Sequence, residues 1–286
     1  MVTDSVAPMA DAHGTDERVG RDDSAAVMDL VVIGGGNMGA ALLGGLVDSG
    51  VLAPERLAVV EVIDARRDVL RRLFPGVVVT DAVPVCASGV LAVKPGDIPA
   101  AAASAAAAGA TRLLSIAAGV RIATIEAAVG DSVSVIRAMP NTPALVRLGA
   151  CAIAAGSTAT TADVDWAAMV LEAVGTVERL TEDELDAFTG VAGSGPAYVF
   201  LVAEALTDAA VEQGLDREVA QRVIRQLLLG SATLLDREGD PARLREMVTS
   251  PGGTTAAGLA RLGEAGVREA FGDAVRAATE RSRELG

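Results

Sequence analysis

Three glycines near the amino end have the spacing of a nucleotide-binding turn. Gly34, Gly36 and Gly39 follow the apolar run Leu30 to Ile33 and open a helical pattern. Glycines at these positions allow a tight turn, and they let the backbone approach a pyrophosphate whose charge rests on the helix amino terminus. The spacing predicts a dinucleotide site. The alternative is an ordinary strand-to-helix turn that binds nothing.

Charged residues after the second predicted strand bear on which nucleotide is bound. Glu61 lies a little more than about 20 residues beyond the glycines, where an acidic side chain hydrogen-bonds the adenosine ribose of NADH. Arg66 and Arg67 follow closely enough to hold the 2′-phosphate of NADPH instead, or they form only the solvated start of the next helix. The sequence therefore leaves both NADH and NADPH open.

A dinucleotide site predicts hydride transfer, and the group that receives the hydride must have its developing charge protonated or stabilised. The chain offers few acids: the only histidine is His13, near the amino end, the only lysine is Lys94, and the only tyrosine is Tyr198. Lys94 ends a predicted strand, and Tyr198 has Val202 rather than a lysine four residues on. A cyclic iminium substrate needs no such acid, because hydride addition turns it directly into a neutral amine.

The neutral segment SPGGTT, residues 250–255, precedes an apolar helical run near the carboxyl end. Gly252 and Gly253 free the backbone to turn, and Thr254 and Thr255 begin the helix. Several N–H groups and a hydroxyl then converge at a positive helix end. Such a cradle suits a substrate carboxylate and keeps arginine away from an iminium. The alternative is a capped helix that follows an ordinary loop.

Apolar strand-like runs alternate with helical patterns as far as residue 181, and the remainder is helical. This order predicts an α/β fold, in which an amino-terminal Rossmann-type, doubly wound parallel sheet is followed by an all-helical dimerisation domain. We expect a disordered tail over 1–27, a dinucleotide-binding domain over 28–181 and a helical dimerisation and substrate domain over 182–286. Met28 is a candidate for the natural start.

Within the helical part, single residues mark where helices begin. Pro196 suits the first turn of one helix, and Asp216 and Asp240 are expected caps of two others. So many apolar faces in so few residues predict that a second copy completes the core, which makes the protein a homodimer.

Composition argues against several classes of protein. A net charge of −14 disfavours a nucleic-acid partner, since phosphate binding needs clustered Lys and Arg. No uninterrupted apolar run approaches the roughly 20 residues of a membrane span, and residues 1–27 lack the pattern of a secretory signal. Cys86 and Cys151 have no metal or disulfide spacing, which predicts two buried free thiols and no metal site. We expect a cytoplasmic protein.

Five stretches together resemble the pyrroline-5-carboxylate reductase family: IGGGNMG, AVKP, RAMPNTPALV, GVAGSGPAYVFLVAEALTDAAVEQGL and SPGGTTAAGL. The resemblance extends from about Met28 to Leu285. It implies NAD(P)H-dependent reduction of 1-pyrroline-5-carboxylate to L-proline, the last step of proline biosynthesis. It also implies a homodimer whose helical domains interlock, and often a pentamer of such dimers.

The resemblance implies roles for individual residues. The hydroxyl of Thr255 would lie near the ring nitrogen of the substrate, and Ser194 to Pro196 would shape a pocket built by the dimer. The substrate would be held by Ser250, Gly252, Gly253, Thr254 and Thr255. The cofactor would contact Ile33, Gly34, Gly35, Gly36, Asn37, Met38, Gly39, Glu61, Ala92, Val93, Lys94, Pro95, Ala117, Ala118, Gly119 and Asn141. Asn141 has an alternative interpretation as a turn residue between two prolines.

Two other functions fit parts of the pattern. An imine reductase or a β-hydroxyacid dehydrogenase also combines a Rossmann domain with helices, but the hydroxyacid enzymes need a lysine on the helix after GSGP, and none is present there. A non-catalytic dinucleotide sensor is the second alternative. A sensor needs no carboxylate cradle, so the intact SPGGTT segment argues against it.

Overall fold

The computed structural model describes residues 27–286. The tail expected over 1–27 therefore lies almost entirely outside the described residues, as does His13. Residues 27–286 form an eight-stranded sheet followed by helices, which confirms the predicted fold class. The domain boundary predicted between residues 181 and 182 lies in the connection between the last strand and the next helix, and it stays a prediction.

The sheet has the strand order of a dinucleotide-binding fold. Its strands are β1 (Leu30–Ile33), β2 (Leu57–Val60), β3 (Val78–Thr80), β4 (Ser88–Leu91), β5 (Arg112–Ser115), β6 (Ser134–Met139), β7 (Gly149–Ala155) and β8 (Gly175–Arg179). They lie in the order β3-β2-β1-β4-β5-β6-β7-β8, and all neighbours from β3 to β6 are parallel. The first six strands thus follow the 3-2-1-4-5-6 order of the doubly wound fold.

Helices cover both faces of this sheet. They are α1 (Asn37–Ser49), α2 (Asp64–Leu73), α3 (Ile98–Ala107), α4 (Ile122–Val129) and α5 (Thr161–Glu172). Every residue of β1, β2 and β4 is buried, as is typical of parallel strands covered on both sides. Val32 packs with Leu42 on one face, and Val31 packs with Ile98 on the other. Strand β1, which leads into the glycine turn, is therefore held between two apolar layers.

The prediction of a parallel sheet is wrong at one pair of strands. β7 runs antiparallel to β6, and β8 is parallel to β7. Between β6 and β7 the chain has only residues 140–148, with a short 3-10 turn at Thr142–Val146. A parallel connection needs a crossover of about a dozen residues or more. The short connection therefore makes the chain return in the opposite direction.

From residue 184 onward the described chain contains helices and no strand. These are α6 (Glu184–Phe188), α7 (Gly195–Glu212), α8 (Arg217–Glu238), α9 (Pro241–Met247), α10 (Thr254–Glu264) and α11 (Val267–Leu285), with a π turn at Thr189–Gly193. Pro196 lies in the first turn of α7. The side chains of Asp216 and Asp240 cap α8 and α9 by accepting backbone N–H bonds. The predicted helix starts are confirmed.

The outer helices expose many large apolar side chains. Phe200 and Leu201 of α7 are 61% and 64% exposed, and Leu229 of α8 is 61% exposed. Exposed apolar surface on this scale usually marks an interaction site. Within residues 27–286, the helical stretch Glu184–Glu212 also has the length and hydropathy of a possible membrane span, with 17% of that window buried.

A buried ion-pair network joins the sheet to the helical part. Arg137 on β6 lies 3.0 Å from Glu182 Oε1 and 4.0 Å from Asp186 Oδ1, and Arg121 lies 3.3 Å from Asp186 Oδ2. Asp186 also accepts a hydrogen bond of 2.7 Å from the Ser282 hydroxyl on α11. Charges buried this deeply are tolerated only when they are paired and hydrogen-bonded. The network therefore fixes α6 and α11 against β6.

Candidate active site

The glycine turn connects β1 to α1 at the carboxyl edge of the sheet. Gly34 has a φ of +110°, and a Cβ there would clash with the Ala92 carbonyl oxygen. A Cβ on Gly39 would clash with the Gly34 carbonyl oxygen. Both positions therefore need glycine to keep the turn closed. Gly36 differs, because a Cβ there would meet nothing within 4 Å.

Helix α1 begins beside this turn with free backbone donors. Gly36 is its N-cap in an extended conformation, no side chain caps the helix, and the first turn holds no acidic residue. The first N–H groups of a helix have no partner within it. They and the helix dipole stabilise an anion at this end. The turn therefore fits a pyrophosphate, with Gly36 leaving the space for it.

An open cleft of about 480 Å³ adjoins the turn. Nine of the predicted cofactor residues line it: Ile33, Gly34, Gly36, Asn37, Met38, Glu61, Ala92, Val93 and Lys94. Sequence reasoning missed four others: Val60, Val62, Ile63 and Asp97. Val62 and Ile63 are 78% and 61% exposed, so they form an apolar rim at the cleft mouth. Their signal in the sequence was an apolar pair directly after Glu61.

Glu61 is the first residue after β2, as predicted, and it is half-buried at one end of the cleft. Its Oε1 accepts a hydrogen bond of 3.0 Å from the Ile63 backbone N–H. Its Oε2 lies 3.1 Å from the position that a Cβ on Gly35 would take. Among the described residues, no donor is hydrogen-bonded to Oε2. The carboxylate is thus held in place with one oxygen free.

The two arginines after Glu61 are bonded to backbone carbonyl oxygens. Arg66 Nε donates to the Gly35 carbonyl oxygen at 2.7 Å. Arg67 Nη1 donates to the Glu61 carbonyl oxygen at 2.6 Å, and its Nη2 pairs with Asp64. Neither side chain lines the cleft. Arg66 thus holds the glycine turn, and Arg67 holds the backbone at the end of β2.

The other predicted cofactor residues lie along the same sheet edge. Gly35, Gly39 and Pro95 belong to the turns that bound the cleft but do not line it. Ala117 to Gly119 follow β5, the neighbour of β4. Gly119 has a φ of +72°, and a Cβ there would lie 2.9 Å from Leu285 Cβ at the end of α11. The helical part thus reaches the predicted cofactor edge.

Asn141 follows β6 and is buried, with 8% of its surface exposed. Its Nδ2 donates to the Ala192 carbonyl oxygen of the π turn at 3.0 Å, and its Oδ1 accepts from the Ala150 N–H at 3.0 Å. Both ends of the amide are therefore bonded to backbone. The side chain holds the π turn against the sheet, a role that sequence reasoning did not anticipate.

A second cavity lies at this junction, beside the start of α7. It has a volume of about 370 Å³ and is mostly apolar, with this lining: Asn141, Pro143, Val191, Ala192, Gly195, Pro196, Val199 and Phe200. Two of the three residues predicted to shape a substrate pocket, Gly195 and Pro196, are among them. The cavity is open and has no cationic side chain in its lining.

The SPGGTT loop stands apart from both cavities. Gly252 has a φ of +72°, Gly253 N–H donates to the Ser250 carbonyl oxygen at 3.0 Å, and Thr254 begins α10. No side chain caps that helix, and Ser250, Thr254 and Thr255 are exposed. None of residues 250–255 lines either cavity. Within one chain, the predicted substrate residues and cofactor residues are separate.

Three other potentially reactive side chains, Cys86, Cys151 and Tyr198, line neither cavity. Cys86 and Cys151 are free and buried, as predicted, and burial raises the pKa of both thiols, that of Cys151 to about 11. Tyr198 donates weakly to the carbonyl oxygens of Gly190 and Ala274, at 3.4 and 3.5 Å. Among residues 27–286, no group of three or more His, Cys, Asp or Glu could hold a metal ion.

Changing two glycines of the turn to alanine is expected to affect different properties, stability in one case and NADH binding in the other. Gly39→Ala should lower the free energy of unfolding by more than about 1 kcal/mol, because the new Cβ clashes with the turn. Gly36→Ala should change stability by less than about 1 kcal/mol but weaken NADH binding roughly tenfold or more, because its Cβ enters the cleft. Urea unfolding and NADH titration measure the two effects. Normal NADH affinity in Gly36→Ala would contradict the pyrophosphate position.

Comparisons with known proteins agree with this arrangement. Residues 182–285 match the family model for pyrroline-5-carboxylate reductase dimerisation, and residues 29–119 match the model for coenzyme F420-dependent NADP oxidoreductases. The chain is 44% identical to a pyrroline-5-carboxylate reductase of Synechocystis, covering 91% of this chain and 98% of the relative.

Solved structures give the same result. A pyrroline-5-carboxylate reductase from Coxiella burnetii superposes with a TM-score of 0.85 at 34% identity, over 91% of this chain and 99% of that one. A pyrroline carboxylate reductase from Plasmodium falciparum with NADP bound has a TM-score of 0.78 at 28% identity, over 91% and 98% of the two chains. The chain therefore belongs to the pyrroline-5-carboxylate reductase family.

Proposed function

We propose that this protein reduces 1-pyrroline-5-carboxylate to L-proline with a nicotinamide dinucleotide. One observation carries the proposal: a chain of this family has an open cleft whose glycine turn and free helix N–H groups suit a pyrophosphate. The dinucleotide, when bound, supplies the hydride. The protein acts as an oxidoreductase of proline biosynthesis.

Different residues around the cleft bind different parts of the cofactor. The N–H groups at the start of α1 hold the pyrophosphate, and the free oxygen of Glu61 accepts from the adenosine ribose. Val62 and Ile63 give the adenine an apolar face. Ala117 to Gly119 lie further along the sheet edge, on the side of the nicotinamide.

The substrate is held by the SPGGTT loop of a second copy. Residues 250–255 are largely exposed and line neither cavity of their own chain, so a site that includes both needs another chain. The match to a dimerisation family and the exposed apolar side chains of α7 and α8 support a homodimer. Five such dimers form the larger assembly. A second copy, and not a membrane, covers Glu184–Glu212, and the protein is cytoplasmic without a nucleic-acid partner.

The loop and the chemistry of the substrate fit one another. The N–H groups at the start of α10 and the Thr255 hydroxyl bind the carboxylate and the ring nitrogen, and the loop itself contains no cationic residue. The described residues include no histidine, and a protonated cyclic imine needs none. Hydride addition to its carbon gives the neutral amine directly.

An enzyme assay tests the function. Purified protein is mixed with 1-pyrroline-5-carboxylate and with NADH or NADPH, while nucleotide oxidation and L-proline formation are both followed. We expect stoichiometric formation of proline, and no reaction with an open-chain oxo acid of similar size, the substrate class of a hydroxyacid dehydrogenase. A folded protein that binds dinucleotide and forms no proline would contradict the proposal and favour the sensor alternative.

A further inference from the structure

We infer that this chain selects NADH over NADPH and that Glu61 is the residue that decides it. The inference rests on the proposed function and refines it. Family membership leaves the nucleotide open, since the relative from Plasmodium falciparum holds NADP. The choice depends on what surrounds the adenosine ribose at the end of β2.

The position of Glu61 suits a ribose with two free hydroxyls. The side chain is fixed by the bond from Ile63 N–H to Oε1, while Oε2 has no donor among the described residues. An ionised carboxylate only accepts hydrogen bonds. The 2′-hydroxyl of NADH is a donor and can satisfy Oε2, as acidic residues at this position do in NAD-binding folds.

A 2′-phosphate in the same place has nothing to donate and carries about −1.5 to −2 charges at neutral pH, as phosphate monoesters do. Facing Glu61, it would be repelled by a carboxylate of the same sign. The carboxylate cannot withdraw freely, because its Oε1 accepts a hydrogen bond from the Ile63 backbone N–H. The site therefore disfavours NADPH.

The nearby arginines do not offset this repulsion. Arg66 is bonded to the Gly35 carbonyl, and Arg67, 9% exposed, is bonded to the Glu61 carbonyl and to Asp64. Turning either guanidinium into the cleft would break these bonds and leave a part-buried carbonyl oxygen without its donor, which is unfavourable. Their sequence position suggested a phosphate site, but their contacts give them a structural role.

Lys94, the remaining cationic residue of the cleft, does not lie beside the position of the adenosine ribose. In the part of the chain described, Lys94 is the one cationic side chain that lines the cleft. Lys94 follows β4 and Glu61 follows β2, with β1 between them. Because neighbouring strands are about 4.8 Å apart, β2 and β4 are roughly 10 Å apart. Lys94 is therefore placed for the pyrophosphate or nicotinamide half, not for the adenosine ribose.

Nucleotide titrations without substrate test the inference independently of catalysis. The dissociation constants of NADH and NADPH are measured from nucleotide fluorescence for the wild type and for Glu61→Gln, which keeps the size and removes the charge. We expect the wild type to bind NADH roughly tenfold or more tightly than NADPH. In Glu61→Gln this ratio should fall at least about tenfold, mainly through tighter NADPH binding.

Arg66→Ala is the matched control. Removing the Arg66 side chain should weaken the binding of NADH and of NADPH equally, because it loosens the glycine turn. The ratio of the two dissociation constants should therefore stay unchanged. A wild type that prefers NADPH, an unchanged ratio in Glu61→Gln, or a selective loss of NADPH in Arg66→Ala would each overturn the inference. Selective NADH binding without proline formation would instead refute the proposed function and leave the inference standing.

Discussion

Replacing Asp186 with alanine is expected to lower the free energy of unfolding by about 3 to 5 kcal/mol. Asp186 is only 2% exposed and interacts with Arg121, Arg137 and Ser282. Its removal leaves the buried Arg137 guanidinium with one acceptor fewer and removes the hydrogen bond to Ser282 on α11. The cost is large because the remaining charge cannot regain its hydration without opening the core.

Asp183→Ala is the matched control for burial. Asp183 pairs with the same Arg121 at the same distance, 3.3 Å, but its side chain is 95% exposed. Surface ion pairs contribute about 0 to 1 kcal/mol, so this variant should unfold within about 1 kcal/mol of the wild type.

Urea unfolding at one fixed protein concentration compares the two variants, since oligomerisation makes apparent stability depend on concentration. If Asp186→Ala does not fold, Asp186→Asn provides the comparison, because it keeps an acceptor for Ser282 and loses only the charge. Equal losses in the Asp183 and Asp186 variants would show that burial does not set the strength of this network.

Local chemistry explains why much of the fold was predictable. Several predicted features depend mainly on residues a few positions apart, which the sequence shows directly: the spacing of the glycines, Glu61 directly after β2, and the caps Asp216 and Asp240. The parallel prediction failed at β7 because direction depended on the length of residues 140–148, and apolar patterning does not report direction.

Long-range pairing explains what the sequence could not predict. The bond between Asp186 and Ser282 joins residues 96 positions apart, and that between Asn141 and Ala192 joins residues 51 apart. Neither pair has a local signal. The sequence also could not predict the orientation of Arg66. Its position allows a contact with a phosphate as well as the bond to the Gly35 carbonyl oxygen that the structure has.

Replacing Thr255 with alanine is expected to lower kcat/KM for 1-pyrroline-5-carboxylate roughly tenfold to a hundredfold. This corresponds to about 1.5 to 3 kcal/mol for one hydrogen bond to a charged partner. Thr255 is exposed at the start of α10 and lines neither cavity of its own chain. NADH affinity should therefore stay near that of the wild type, as measured by titration.

Thr255→Ser separates the hydroxyl from the methyl group, since it keeps the donor and should retain activity within a few-fold. Both variants should fold normally, because Thr255 is not buried and its hydroxyl makes no hydrogen bond among the described residues. If Thr255→Ala weakened NADH binding as much as it lowered turnover, the loop would belong to the cofactor site. If it left turnover unchanged, the hydroxyl would not reach the substrate. A selective loss of turnover places the loop at the substrate, where only a second copy can bring it to the cleft.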